Sequence, residues 1–307
     1  MRKAIKKVKR KRSAKRLKLS RLWIWTLLLG VILGSGISLS GNKLFFSQVS
    51  SDDFRTRISA KYYDPKDLQK PDDVKGISTA KLKLPIVMYH YVEYVKDKGD
   101  TIRQSLNINP YLFEGQLKNL KENRYTSYFA RDIPMILKGK IKAPAKSIIL
   151  TFDDGYKDFY TDAFPLLKKY KIKSTIYIVN NFIGRKDFLN EDEIKELISS
   201  GLVEIGAHTT DHLYLKGLSK TMIRQQILES KQRLEEDFNI KVKTFAYPYG
   251  AFNSDVIDAV KEASFSAAVT VVSGTFQVKD DIFSLNRVRA GGFSVNNMDT
   301  VLTLYKN

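Results

Sequence analysis

The chain of 307 residues has no cysteine. That excludes disulfides, thiolate nucleophiles and cysteine-ligated metals, and it suits an exported protein that does not depend on a redox state. Histidine is nearly as scarce: three residues, His90, His208 and His212, must supply any imidazole chemistry. Tryptophan occurs only as Trp23 and Trp25, both inside the one long stretch without charge, Leu22 to Ser40. Acid is missing from residues 1–21, which carry twelve Lys or Arg. That tail holds most of the formal net charge of +19, because the remainder has 40 basic against 33 acidic residues. Without interleaved aromatics the tail does not read as a nucleic-acid contact, and membrane topology alone accounts for its charge.

The nineteen uncharged residues Leu22–Ser40 have the length of a helix crossing a bilayer core of roughly 30 Å. The basic flank predicts a cytoplasmic tail at 1–21, with the paired tryptophans at the interface and the rest of the chain outside the cytoplasm. A secretory signal cleaved within "SGISLSG" is the alternative, giving a secreted protein. Residues 41–80 are polar and interrupted by Pro65 and Pro71, which predicts an extracytoplasmic linker, and 81–307 form the folded domain. From Leu84 onward, apolar runs such as "SIILTF" and "STIYIV" alternate with amphipathic patterns. About six such units predict an α/β fold, a parallel (β/α) barrel of the TIM type that is short of complete, rather than an open sheet.

Polar residues gather at the predicted strand ends, in "MYH", "TFDDG", "GAHTTDH" and "AYPYG". Two adjacent carboxylates, Asp153 and Asp154, face one cavity only if the strand stops there, which Gly155 permits. They then call for a cation or for split acid and base roles, unless they form a solvated Asp-Asp-Gly turn. His208 and His212, spaced i, i+4, fit one face of a helical turn, and with one Asp they make a known ligand set for Zn²⁺ or Fe²⁺. His90 ends the first strand.

"TFDDG", "HTTDH" and "YPYG", in this order, resemble the motifs of the polysaccharide deacetylase, or NodB-homology, family, whose fold is a distorted α/β barrel. "PIVMYHYV" with the helix after it is similar to the branch containing poly-β-1,6-N-acetylglucosamine deacetylases. The resemblance implies a divalent metal, Zn²⁺ first and Co²⁺, Ni²⁺ or Fe²⁺ as alternatives, bound by Asp154, His208 and His212, with Asp153 as general base. It assigns the backbone N–H of Tyr249 to the oxyanion. The family's late Leu-x-His motif is absent, so the general acid falls to His90. Its base-steadying arginine is replaced by Ala246, so that charge falls to Arg287, with Arg289 as the alternative. The tryptophan-bearing motif has no counterpart. The expected function is removal of N-acetyl groups from an extracellular amino-sugar polysaccharide. Peptidoglycan deacetylation, O-acetyl ester hydrolysis and an inactive carbohydrate-binding protein are the competing readings.

Overall fold

The structure, a computed structural model, describes residues 69–70, 81–97, 99–292 and 294–305. The predicted tail, the span Leu22–Ser40 and all of the linker except Gln69 and Lys70 lie outside the described residues. Among the described residues no helix is long and apolar enough to cross a membrane.

In chain order the elements begin with β1 (Lys81–Lys83), β2 (Ile86–Tyr89) and β3 (Tyr91–Val92), then α1 (Thr101–Leu106), β4 (Asn107–Ile108) and α2 (Pro110–Glu122). Next come β5 (Thr126–Tyr128), α3 (Ile133–Leu137), β6 (Ser147–Phe152), α4 (Phe164–Tyr170), β7 (Ser174–Ile178), α5 (Glu191–Ser199) and β8 (Val203–Ala207). The last third holds α6 (Lys220–Phe238), β9 (Thr244–Ala246), α7 (Ser254–Glu262), β10 (Ala267–Ser273), β11 (Phe276–Val278), β12 (Leu285–Arg289) and α8 (Met298–Thr303).

Seven strands close into a parallel ring in the order β2-β12-β10-β9-β8-β7-β6 and back to β2. β5 adds to the first half of β6, at Ser147–Ile149, while β7 takes Leu150–Phe152. The barrel therefore stops short of eight strands, yet it is complete where six apolar runs predict an open gap. The seventh strand is β12, whose "LNRVR" lacks the apolar continuity of a buried strand because two of its side chains serve the barrel lumen.

Alternation along the strands sorts the core into two layers. Val87, Tyr89, Ile148, Leu150, Phe152, Ile176, Ile178, Ile205 and Phe245 face outward into one cluster with the helices. Ile86, Ile149, Tyr177, Ala246, Val269 and Leu285 face inward and pack with Ile133 and Ile136 of α3, which closes the amino-terminal end. Fully burying one such side chain stabilises by about 1.5–3 kcal/mol, so a slip of one residue would exchange lumen and helix faces at prohibitive cost. Gly206 is required because a Cβ there would lie 2.4 Å from the Tyr177 ring inside the barrel. The same alternation carries forward to the strand ends and turns His90, Asp153, His208 and Arg287 toward the lumen.

Low in the barrel sits one buried carboxyl, Glu204. Its Oε2 accepts from Thr175 Oγ1 at 2.7 Å and Arg131 N at 3.1 Å, while Oε1 is buried without a partner. Burial pushes this group up to about 7. An unfolded glutamate titrates near about 4.3, so between those values the folded state holds a proton that the unfolded chain lacks, and stability falls as pH rises. Glu204→Gln reproduces the protonated carboxyl. It should be nearly neutral at about pH 4 and stabilising by on the order of 3 kcal/mol at about pH 8. Urea denaturation at the two pH values measures this, and equal differences at both would contradict it.

Candidate active site

Asp153 directly follows β6, and its N–H donates to Tyr89 O at 3.0 Å, holding the chain in strand conformation one residue past the sheet. Its carboxylate meets Arg287, from β12, in a fork: Nη1 to Oδ1 and Nη2 to Oδ2, each at 2.7 Å. The guanidinium also donates from Nε to Thr270 O at 2.7 Å and from Nη1 to Thr151 Oγ1 at 3.2 Å. Thr270 can offer its carbonyl inward because the register of β10 against β12 shifts between Val269 and Ser273. A bulge of this kind re-aims backbone groups that a regular ladder would consume. Burial pushes the Asp153 carboxyl up, but the Arg287 charge and its paired hydrogen bonds outweigh burial and leave it below the usual range. Asp153 is therefore ionised at neutral pH.

Asp154 turns the other way. It has φ +77° and Gly155 has φ +79°, two consecutive left-handed residues that reverse the chain and bring the second carboxylate back to the mouth. Aspartate is one of the few non-glycine residues that adopts this region readily. His208 follows β8 and is held by its N–H to Ile178 O at 3.0 Å. Its Nδ1 lies 2.7 Å from Ala246 O. A carbonyl only accepts, so the ring carries a proton on Nδ1 and turns Nε2 toward the cleft, 3.3 Å from Asp154 Oδ1. His212 Nε2 lies 3.0 Å from the same oxygen, and its Nδ1 lies 3.0 Å from the Tyr249 hydroxyl.

The expected helical turn under the two histidines is absent. Residues 208–212 form a loop with φ +66° at Thr209 and +59° at His212, closed by the His212 N–H donating to Thr209 Oγ1 at 2.9 Å. The imidazoles converge by this loop rather than by helical periodicity.

Ligand atoms of Asp154, His208 and His212 all fall within 4.8 Å of one another. Donors around a tetrahedral ion bound at about 2.0–2.1 Å stand about 3.3 Å apart, close to the 3.0 and 3.3 Å found here. Two imidazoles, that of His208 oriented by a carbonyl and that of His212 by a hydroxyl, and one carboxylate thus fit a divalent cation.

His90 closes the other side, with Nε2 3.9 Å from Asp153 Oδ2. Burial pushes its imidazole down to about 4, against the opposing pull of Asp153 and Asp154, so it is neutral near pH 7. Tyr249 sits in the turn Pro248–Gly250 with φ +58°. Gly250 beside it has φ +72° and no room for a side chain, since a Cβ would meet Val271 Cγ2 at 2.2 Å. Arg289 lies two residues beyond Arg287 on the same strand, is half-buried and does not bond to Asp153. Sequence reasoning misses three groups: the Ala246 carbonyl and the Tyr249 hydroxyl, which orient the histidines, and the Thr270 carbonyl, which orients Arg287. Two are backbone atoms with no residue signature. The Tyr249 hydroxyl is a side-chain group in a motif read only for its N–H.

The family model for polysaccharide deacetylase matches residues 140–268. The Bacillus subtilis (strain 168) protein YxkH, named for polysaccharide deacetylase, is 33% identical over 223 residues, 72% of this chain and 77% of that protein. A Staphylococcus aureus poly-β-1,6-N-acetyl-D-glucosamine N-deacetylase is also 33% identical, over 173 residues, 52% of this chain and 59% of the relative. Among solved structures, the Streptococcus pyogenes deacetylase PplD in complex with acetate superposes with a TM-score of 0.67 at 27% identity, covering 73% of this chain and 99% of that one. With a seven-stranded parallel barrel, carboxylates and imidazoles gathered at its mouth, and relatives of this likeness, the chain belongs to the polysaccharide deacetylase family.

Proposed function

We propose that this chain is a metal-dependent N-deacetylase of an amino-sugar polysaccharide of the poly-β-1,6-N-acetylglucosamine type. Residues 81–307 form the catalytic domain, and Leu22–Ser40 anchors it outside the cytoplasmic membrane, with 41–80 as tether. The observation that carries the reading is the meeting of Asp154 Oδ1, His208 Nε2 and His212 Nε2 beside an ionised, arginine-clamped Asp153. The Staphylococcus relative supports the choice of glycan. The charge-free span with twelve cations before it supports the anchor.

A divalent ion, Zn²⁺ first, held by those three ligands would polarise the acetamide carbonyl and lower the pKa of a water toward about 7. Asp153, kept ionised by Arg287, accepts the proton of the attacking water. The Tyr249 backbone N–H donates to the oxygen that gains charge. His90 is neutral at rest, so the proton it passes to the leaving amine must reach it during the reaction. Asp153 Oδ2, 3.9 Å from His90 Nε2, is the nearest carboxylate source.

The direct test is acetate release from β-1,6-linked, β-1,4-linked and peptidoglycan-derived N-acetylglucosamine oligomers by the full chain. Release from the β-1,6 oligomers should require added Zn²⁺ or Co²⁺ and stop on chelation. Preference for muropeptides would move the substrate to the cell wall, and release of acetate only from O-acetylated material would replace the amide reading with an ester one. Asp153→Asn should lower kcat by about 10²–10⁴-fold while bound metal, counted by elemental analysis, stays stoichiometric. His208→Ala should lose the metal along with the activity, and a variant that kept both would remove His208 from the ligand set.

Arg287→Met strands a buried carboxylate and should cost about 3–5 kcal/mol of stability at neutral pH. Because the folded Asp153 carboxyl is held low, this contribution is present above the unfolded value and is lost as pH falls through the folded one. The penalty should therefore shrink toward strongly acidic pH. A penalty independent of pH in denaturation curves would mean that the pair contributes packing only.

A further inference from the structure

In a parallel barrel every strand begins at one end, and here one sector of that end is mainly basic. Arg124 precedes β5. Lys138, Lys140, Lys142 and Lys146 lie between α3 and β6, and Lys171 lies before β7. All six are exposed, and none joins an ion pair among the described residues. The stretch from Lys138 to Lys146 contains no acid. The two nearest carboxylates in sequence are engaged: Glu122 with Lys118 at 3.8 Å, and Asp132 with the N–H of Phe129 at 3.0 Å. Of the other acids of this end, Glu235, Glu236 and Asp237 finish α6 between β8 and β9, Glu262 finishes α7 before β10, and Asp280 and Asp281 precede β12, all outside this sector, while Asp299 of α8 is engaged by the Tyr125 hydroxyl at 2.7 Å. Met135, 41% exposed on α3, adds an apolar side chain among the cations.

The chain that precedes the domain also reaches the barrel at this end. Lys70 pairs with Asp281, just before β12 begins. The catalytic residues sit at the opposite end. We propose that the β5–β6–β7 sector of the amino-terminal barrel end is a docking surface for anionic phospholipid headgroups. Its charge complements theirs, and docking turns the catalytic mouth away from the bilayer toward polymer outside. The choice of a membrane as occupant rests on the anchor reading of Leu22–Ser40. Each cation near such a surface multiplies partitioning by roughly fivefold, and the effect fades beyond a Debye length of about 8 Å.

The test exploits the absence of cysteine. Single fluorophores are placed through Lys140→Cys at the basic end and Asp192→Cys at the start of α5, near the mouth. The full chain is reconstituted into vesicles with spin-labelled headgroups. Flotation with zwitterionic vesicles tests the anchor. In vesicles containing phosphatidylglycerol, the probe at position 140 should be quenched and the probe at 192 should not. Quenching at 140 should disappear in about 1 M salt, where the Debye length is about 3 Å. It should also disappear when Arg124, Lys138, Lys142 and Lys146 are changed to Glu, with acetate release from soluble oligomers unchanged. Flotation with equal quenching at both positions, or quenching indifferent to lipid charge, overturns the docking surface and leaves the anchor standing. A probe at 140 that responds to soluble polyphosphate but not to anionic vesicles overturns it in favour of a polymer partner. A chain that does not float removes the anchor and this proposal together.

Discussion

An arginine with no exposed side-chain surface in the middle of a barrel is the constraint around which the rest is arranged. Arg287 cannot shed its charge, so the lumen must answer it, and it does so with four hydrogen bonds to groups on two other strands. Asp153 and Thr151 come from β6, the Thr270 carbonyl from β10, and the arginine itself from β12. The bulge in β10, the seventh strand and the acidity of Asp153 all follow from satisfying one guanidinium. A buried pair of this kind is a poor source of net stability compared with apolar packing. Its value lies in fixing a carboxylate, ionised and with one orientation, where a solvated aspartate would have several.

The cleft divides its labour between strands and loops. Asp153, His90 and Arg287 belong to strands or to the residue that follows one, and their positions are as rigid as the sheet. Asp154, His212 and Tyr249 sit in left-handed turns, with φ of +77°, +59° and +58°. Each such residue costs of order 1 kcal/mol or more and persists only where its surroundings over-determine it. Here the surroundings are the Thr209 hydroxyl, the bond between the His212 ring and the Tyr249 hydroxyl, and the packing of Val271 against Gly250. The proton-handling residues are thus built into the frame, while two of the three candidate ligands are clamped onto it.

Much of this arrangement is legible in the sequence, and what is hidden has identifiable causes. Apolar runs ending in Asp-Asp-Gly or His reveal strands whose ends do chemistry, because a buried strand has no other reason to finish in charge. The strand carrying "LNRVR" hides because its lumen-facing positions are polar. Arg287 and Arg289 share one strand face, so periodicity cannot choose between them; only depth in the barrel separates the buried residue from the half-buried one. The i, i+4 spacing of His208 and His212 correctly brings their rings together, at a centroid distance of 4.9 Å. It suggests the wrong backbone for doing so, since left-handed Thr209 and His212 have no signature in residue type.

All three imidazoles of the chain line this one cleft, and none lies elsewhere in the 307 residues. Histidine is therefore a background-free reporter here. Ring-proton resonances in a nuclear magnetic resonance spectrum, or the ultraviolet band left by an acylating reagent on imidazole, originate wholly from the mouth of the barrel. Local changes in the cleft can be followed atom by atom in the unlabelled natural chain.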